Sequence, residues 1–349
     1  MKISCSAKAV LAVYLLISIC FATAAMSQEE NVEDLALSIS QFDIKNGAGA
    51  MWWTEEFWAG MAYQDKTSDA VMGYHMMKIA GKDHLFFSML PIDQEAGPFE
   101  TEGPAVLANS DGVKVYEAKV HESFSEIMPG LMAFPRIDSQ GKAVVSDDTE
   151  KLTLTVKYKD GGEEGDFEWG LPLIYPEIVE DGKEWLAKPV EKTESEMTEG
   201  EILNKYLPPV LRMDLQSGIM AVYFTDEMSG LLMAMDPDVK KNPLLRAELK
   251  KIMSDNSIFF VGTIKNEKEE RLVAMAESAR AVGIDGKKYS MDIKTRNDFL
   301  ASTEEEGKEE EEDEPFEFMF FPQLGREGLV ELILKDSERD REISFKWEM

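Results

Sequence analysis

Two stretches of this chain repeat the same blocks in the same order, which predicts a tandem duplication. Residues 47–169 reappear in diverged form at 218–347. Six ordered matches with small drifts in spacing are hard to obtain by chance, and no shorter period typical of a solenoid is present. The chain must therefore adopt a fold that each half builds for itself. The matching blocks begin at Trp52 and Tyr223, Lys78 and Lys251, Asp111 and Asp285, Phe134 and Phe321, Tyr158 and Leu334, and Phe167 and Phe345.

Periodicity predicts an α+β unit: a mainly antiparallel sheet with one clear amphipathic helix per copy. In the first copy the helix begins at Ser68, places Met72, Met76 and Ile79 on one face, and ends at Gly81. Alternating runs after the helix, such as Val113–Val120 and Leu152–Lys159, predict strands. Trp169 and Trp347 each share a face with a phenylalanine in such a run and are predicted to lie in the core. The helix of the second copy is predicted from Asn242 as N-cap, Pro243 at the first position, and apolar Leu245, Leu249, Ile252 and Met253.

The N-terminus has the pattern of a secretory signal peptide, with a basic start, a short apolar stretch and a small-residue cleavage site. The apolar stretch is shorter than the roughly 20 residues that span a bilayer, and no later segment is apolar enough to do so. An uncleaved N-terminal anchor is the alternative. The predicted organisation is a signal peptide at 1–24, a leader at 25–38, repeat domain 1 at 39–174, a charged linker at 175–206, and repeat domain 2 at 207–349 with an acidic insertion at 304–314.

The only cysteines, Cys5 and Cys20, lie in the predicted signal peptide. The exported chain would then hold no disulfide, no thiolate metal site and no cysteine nucleophile. Secreted eukaryotic proteins of this size more often carry disulfides. The sequence therefore predicts a periplasmic or secreted protein of the bacterial envelope.

The net charge of −30 is the strongest compositional signal. Binding to nucleic acid or to an anionic membrane surface needs basic patches, so both partner classes are disfavoured. Divalent cations or a basic partner fit the charge better. Solubility alone is the simpler explanation of the same charge.

One acidic pair recurs in both copies: Glu55 and Glu56 match Asp226 and Glu227, each pair after a threonine. Paired carboxylates can act as acid and base or hold a hard cation, which makes these four residues the catalytic candidates of a cation-dependent hydrolase. The alternative is structural. Thr54 would then be a helix N-cap, and the acids would occupy the first helical turn, where the helix dipole favours negative charge.

Two further features are candidate ligand sites. Trp58 has no aromatic counterpart in the second copy, so it is the candidate exposed ring for stacking on a sugar, with core packing as the alternative. The acidic stretch at 160–166 could chelate Ca²⁺, although it lacks EF-hand spacing. Its candidate ligands are Asp160, Glu163, Glu164 and Asp166.

Together these features favour a non-catalytic binding or accessory protein of the periplasm or the extracellular space. Its partner would be another envelope or extracellular protein, or an extracellular polymer. No cofactor is expected apart from possible Ca²⁺. The alternatives are the carboxylate hydrolase and a polyanionic binder of divalent cations.

Overall fold

The computed structural model of the chain divides the residues it describes into two units. Unit one contains those up to 188, and unit two contains those from 196 onward. Within the described residues, sixteen strands form four antiparallel sheets, so the predicted α+β class with mainly antiparallel strands is confirmed. The described residues are 30–66, 68–91, 101–120, 130–159, 163–188, 196–225, 251–252, 254–263, 269–296, 316–325, 328–336 and 340–348.

Unit one contains two four-stranded sheets. The first has the strand order β1-β2-β3-β6 and the second has the order β5-β4-β7-β8. The strands are β1 (Ser40–Asp43), β2 (Ala48–Trp53), β3 (His84–Pro91), β4 (Val106–Asn109), β5 (Lys114–Tyr116), β6 (Leu131–Pro135), β7 (Lys151–Lys157) and β8 (Glu164–Gly170). The helices are α1 (Glu30–Ser38), α2 (Glu55–Asp65), α3 (Ser68–Ala80) and α4 (Ile178–Ala187).

The two sheets of unit one share a core centred on Phe87. Its ring stacks on Trp52 at 5.7 Å between centroids, meets Phe134 edge-on at 5.7 Å, and lies 5.2 Å from Trp169. The indole Nε1 of Trp169 donates to the Ile39 carbonyl over 2.9 Å, which ties β8 to the start of β1. Full burial of one such ring contributes about 1.5–3 kcal/mol, so this cluster holds the two sheets together.

Glycines allow the helices of unit one to approach each other closely. A Cβ atom at Gly182 in α4 would lie 2.2 Å from the Ala59 carbonyl oxygen of α2. A Cβ atom at Gly60 would lie 2.8 Å from a methyl carbon of Leu35 in α1. Both α1 and α4 therefore pack closely against α2, and at Gly182 a side chain would collide with the backbone of α2.

Helices also occur in the two segments that flank the first predicted repeat domain. The predicted leader at 25–38 includes α1, whose Leu35 is fully buried. The predicted linker at 175–206 includes α4 and, in unit two, the start of helix α5 (Glu199–Val210). In α5 the apolar residues Ile202, Tyr206 and Val210 recur every four residues, which is a helical spacing within a charged segment.

Helix α3 occupies the position predicted from Ser68 to Gly81, but a different face is buried. Val71, Tyr74 and His75 are buried, whereas Met72, Met76 and Ile79 are half-buried. Because α2 directly precedes α3, unit one has more than the one predicted helix. One amphipathic helix per copy is therefore not confirmed, and most of the helix predicted from Asn242 lies outside the described residues.

Unit two also contains two four-stranded sheets, ordered β14-β11-β10-β9 and β13-β12-β15-β16. Helix α5 begins with a capping box, in which Thr198 and Glu201 satisfy each other's backbone N–H groups. The strands are β9 (Leu211–Asp214), β10 (Ile219–Phe224), β11 (Asn256–Thr263), β12 (Arg280–Val282), β13 (Lys288–Ser290), β14 (Phe316–Pro322), β15 (Leu329–Asp336) and β16 (Arg341–Glu348). A further helix, α6, spans Glu269–Glu277.

The core of unit two is centred on Phe259. Its ring stacks on Tyr223 at 4.8 Å, meets Phe321 edge-on at 5.6 Å, and lies 5.2 Å from Trp347. The Nε1 atom of Trp347 donates to the Val210 carbonyl over 2.6 Å. Residues that hold the same place in strand order and register in the two units are called matching positions.

The predicted signal peptide at 1–24 and the acidic insertion at 304–314 lie outside the described residues. Within the part of the chain that is described, no helix is long and apolar enough to cross a membrane.

Candidate functional site

The first candidate site, at the start of α2, is built around Thr54. The Thr54 hydroxyl oxygen accepts a hydrogen bond from the Phe57 amide over 3.1 Å and another from the Tyr175 hydroxyl over 2.9 Å. Thr54 is thus the N-cap, as the structural interpretation predicts, and Glu55 and Glu56 occupy the first turn. The matching candidates Asp226 and Glu227 lie outside the described residues.

Glu55 and Glu56 each face a different cation. Glu55 accepts a hydrogen bond from the Tyr74 hydroxyl over 3.1 Å and lies 3.6 Å from the Lys78 ammonium, both on α3. Glu56 lies 3.6 Å from the Lys183 ammonium on α4. The two carboxylates therefore join the start of α2 to its neighbouring helices. This arrangement supports a structural role for them, together with their favourable position in the helix dipole.

Trp58 is part of the hydrophobic core. Only 2% of the residue is exposed, and its ring stacks on Trp53 at 5.8 Å and meets Phe57 edge-on at 5.7 Å. A Cβ atom at Gly73 would lie 2.6 Å from the indole, so α3 covers the ring closely. The prediction of an exposed sugar platform at Trp58 is wrong, because α3 packs over the ring.

The acidic candidates for calcium do not converge in the part that is described. Glu163 lies 2.8 Å from the Lys45 ammonium, and Asp166 accepts a hydrogen bond from the Thr155 hydroxyl over 2.7 Å. Glu164 is exposed on β8. No group of three or more acidic, histidine or cysteine side chains suited to a metal ion occurs among the described residues, and Asp160 lies outside them. Calcium binding stays a prediction.

Asp166 instead belongs to a surface formed by the second sheet of unit one. Alternation along each strand turns one side chain inward and the next outward. The outward residues form two complete cross-strand rows, which together we call the outer face. The first row is Tyr116, Val106, Thr155 and Asp166, and the second is Lys114, Ala108, Thr153 and Glu168.

The outer face has a floor of small side chains between longer ones. The middle strands β4 and β7 contribute the floor, which consists of Val106, Ala108, Thr153 and Thr155. With neighbouring strands about 4.8 Å apart, each row spans roughly 14 Å, and the two rows lie about 7 Å apart. The surface is therefore broad and shallow.

The two ends of the first row differ in chemistry. Tyr116 is 63% exposed, so a wide part of its ring is open to solvent. Asp166, at the far end, holds the Thr155 hydroxyl at one carboxylate oxygen and keeps further acceptor positions. Beside it in the second row, Glu168 lies 2.7 Å from the Lys151 ammonium. The row can therefore present an apolar ring face at one end and hydrogen-bond acceptors at the other.

The matching positions of unit two lack this combination. There the floor positions carry Arg280, Val282, Glu331 and Ile333, and serine stands at the position of Tyr116. The inward positions keep their type, since Trp169 and Trp347 both lie in the core. A sheet of this topology therefore needs neither the small floor nor the exposed tyrosine in order to fold.

Sequence reasoning missed Tyr116, although a signal for it existed. Val113 and Val115 alternate in the predicted strand and are both buried, which places Lys114 and Tyr116 on the opposite side. The pairing of Tyr116 with Val106, and of Val106 with Thr155, depends on strand register and is not visible in any local pattern.

Glu117, which follows β5, should make the stability of the protein depend on pH. Its carboxylate accepts a hydrogen bond from the Ala105 amide over 3.1 Å, and burial raises its pKa. The folded protein thus holds this proton more tightly than the unfolded chain does, so the contribution to stability is greatest at acid pH and falls as the pH rises through the raised pKa. Replacing Glu117 by glutamine should therefore raise the melting temperature at pH 7, with the gain shrinking toward pH 4.

Thermal melts of both proteins between pH 4 and pH 7 test this expectation. Glu150→Gln, at an exposed position of the same unit, is the matched control and should show no such trend. A gain from Glu117→Gln that grows toward acid pH would contradict the assigned direction of the shift.

Comparison with known proteins adds no relative from which function can be transferred. No protein-family model matches the chain, and no curated protein is significantly similar to it. The functional proposal therefore rests on the geometry of the outer face and on the charge of the chain.

Proposed function

We propose that this is a secreted or periplasmic, non-catalytic binding protein that holds an extracellular polymer on the outer face of unit one. The observation that carries the proposal is the first row, in which a largely exposed Tyr116 and the carboxylate of Asp166 flank the small side chains of Val106 and Thr155. The predicted signal peptide supports the location.

The shape of the face favours an extended ligand. Small-molecule sites are concave and bury most of their ligand, whereas this face is the solvent side of a sheet with short side chains in its middle. A chain molecule that lies on such a surface can gain contact along its whole length. The net charge of −30 repels polyanions, so a neutral or cationic polymer is favoured.

We also infer that the two units arose by tandem duplication. Three observations support this: the same strand order, the tryptophan-to-carbonyl hydrogen bond at matching positions, and the aromatic packing around Phe87 and Phe259. The hairpins after β1 and β9 add a fourth, because Asp43 and Asp214 each begin a turn that ends in a glycine with positive φ. On this view the outer face of unit one is a later specialisation.

Truncating the exposed ring tests the binding function. Tyr116→Ala should weaken retention on the polymer by at least about 30-fold, because aromatic side chains that dominate binding typically contribute about 2 kcal/mol or more. The melting temperature should hardly change, since the ring is exposed. Co-sedimentation with insoluble envelope and extracellular polysaccharides, with bound and free protein quantified, measures the effect.

Ile174→Ala is the matched control for this measurement. Ile174 is 88% exposed and lies in the same unit but outside the outer face. Its replacement removes a large exposed apolar side chain and should leave retention unchanged. Equal retention of wild type and Tyr116→Ala on every polymer that binds would refute the proposal.

A further inference from the structure

On the basis of the proposed function, we infer that the polymer is a glycan of neutral or amino sugars that crosses the strands from Tyr116 to Asp166. Neighbouring strands lie about 4.8 Å apart, and one pyranose unit of an extended 1,4-linked chain has a similar length. The three intervals between β5 and β8 therefore accommodate about three sugars. The inference concerns the class of ligand, its direction and its length.

The ring end of the row fits a sugar because one face of a pyranose carries mainly C–H groups. Those groups are apolar and carry slight positive charge, and the face of an aromatic ring is slightly negative. Tyr116 stands at the edge strand β5 and is 63% exposed, so a large part of its ring is open to an approaching sugar.

The far end of the row calls for a ligand that donates hydrogen bonds. Asp166 and Glu168 follow each other on the outward side of β8, and an ionised carboxylate only accepts. The Thr155 hydroxyl gives its proton to Asp166, so its remaining hydrogen-bonding capacity is also as an acceptor. Sugar hydroxyls supply the required donors, and a protonated amino group adds a charge that Asp166 attracts.

The same acceptors disfavour acidic sugars at the Asp166 end of the first row. A uronate or sulfate group would bring acceptors to acceptors and negative charge to a chain of net charge −30. A lysine-rich peptide is the other cationic ligand of this surface. Its ammonium groups would pair with Asp166 and Glu168. However, a flexible peptide does not need the small floor, which allows a rigid sugar ring to lie close to the sheet.

Calorimetric titration of the full chain with 1,4-linked oligomers of two to six sugars tests the inference. The probes are oligomers of glucose, N-acetylglucosamine, glucosamine and galacturonate. Affinity should rise up to about three sugars and then level off. Glucosamine oligomers should bind about tenfold more tightly than glucose oligomers, a preference that fades as salt screens the charge, and galacturonate should not bind.

Two variants distinguish the binding contribution of Asp166 from that of Tyr116, the residues at the two ends of the first row. Asp166→Asn should keep binding of the glucose oligomer within a few-fold and remove most of the preference for glucosamine, whereas Tyr116→Ala should weaken both. Glu180→Gln is the control for charge, because this glutamate is 77% exposed on α4 and lies outside the face. It should leave the preference intact.

The outcomes distinguish the two levels of the proposal. If a polymer is retained through Tyr116 but galacturonate binds as well as glucosamine, or affinity keeps rising to six sugars, the inferred class or length is wrong and the proposed function stands. If no oligomer and no insoluble polymer binds, both fail. If polylysine binds more tightly than any sugar and Tyr116→Ala has no effect, the ligand is a basic protein and the glycan inference is overturned.

Discussion

Replacing Asp336 by alanine is expected to destabilise unit two by about 3–5 kcal/mol, because it breaks a buried ion pair and leaves one charge behind. The Asp336 carboxylate lies 2.6 Å from the Arg271 guanidinium, and their side chains are only 0% and 5% exposed. Arg271 also donates to the Ser217 carbonyl over 3.4 Å, so it joins α6 to the turn after β9. Without Asp336, the buried Arg271 loses the carboxylate that lies 2.6 Å from its guanidinium.

Chemical denaturation monitored by fluorescence and circular dichroism measures this loss. Glu342→Ala, an exposed acid on the neighbouring strand, is the matched control and should cost no more than about 0.5 kcal/mol. The double variant Arg271→Met with Asp336→Leu should recover most of the loss, because well-packed apolar residues often replace buried ion pairs without cost. The ion pair would have no such role if Asp336→Ala unfolded at the same denaturant concentration as Glu342→Ala.

The sheets that face solvent on one side were the part of the fold most open to prediction. In β7, β8, β15 and β16, buried and exposed residues alternate as the sequence pattern predicts. Trp169 and Trp347 were both predicted to lie in the core, and both are at most 1% exposed. A period of two is a local property, so it can be found without knowing which strand lies beside which.

Strand β2 and the helices around it were harder because they are covered on both sides. All six residues of β2 are buried, so no alternation marks it as a strand. The close approach of α4 to α2 depends on Gly182 fitting against the Ala59 carbonyl, a contact between residues far apart in sequence. For the same reason the local sequence around Trp58, which α3 covers, left an exposed ring open as an alternative to core packing.

One block of the predicted repeat, which begins at Tyr158 and Leu334, differs from the pairing that strand register gives. The difference arises because a large and a small side chain have exchanged places between the two units. By register, Tyr158 matches Asp336, and Gly165 matches Ile343. A Cβ atom at Gly165 would lie 2.2 Å from the Tyr158 hydroxyl, so the large ring requires the glycine beside it. In unit two the smaller Asp336 stands at the position of Tyr158, and the larger Ile343 stands at the position of Gly165. Alignment by residue type placed Tyr158 against Leu334, two residues away, because it cannot recognise such an exchange.

The outer face was predictable in its parts but not as a whole. Asp166 was singled out as an acid, and the strand that carries Tyr116 was predicted from its alternation. What joins them is the register of four strands, set by the packing of the opposite face around Phe87 and Trp169. Register depends on contacts between distant residues, so a single sequence without related sequences does not reveal it.

The second large effect is expected at the core tryptophans. Trp169→Ala and Trp347→Ala should each destabilise their own unit by about 3–5 kcal/mol, the usual cost of removing a buried aromatic ring. Each variant loses a ring that packs 5.2 Å from the central phenylalanine and leaves a buried carbonyl, of Ile39 or Val210, without its indole donor. Amide hydrogen exchange read strand by strand measures the loss in the unit that carries the change.

Phenylalanine variants separate packing from hydrogen bonding at the same positions. Trp169→Phe and Trp347→Phe keep a ring but lose the N–H donor, so each should cost less than its alanine variant, with about 0.5–1.5 kcal/mol due to the lost hydrogen bond. The Ile39 carbonyl keeps a second donor, the Trp52 amide, at 2.9 Å. The half-buried Trp185 on α4 is the control, and Trp185→Phe should cost under about 1 kcal/mol. The two alanine variants should lose similar stability, because each tryptophan ring packs 5.2 Å from the central phenylalanine between the two sheets of its unit. If Trp169→Ala proves severe while Trp347→Ala is tolerated, the tryptophans do not play the same role, and the proposal that the units are diverged copies of one fold loses its strongest support.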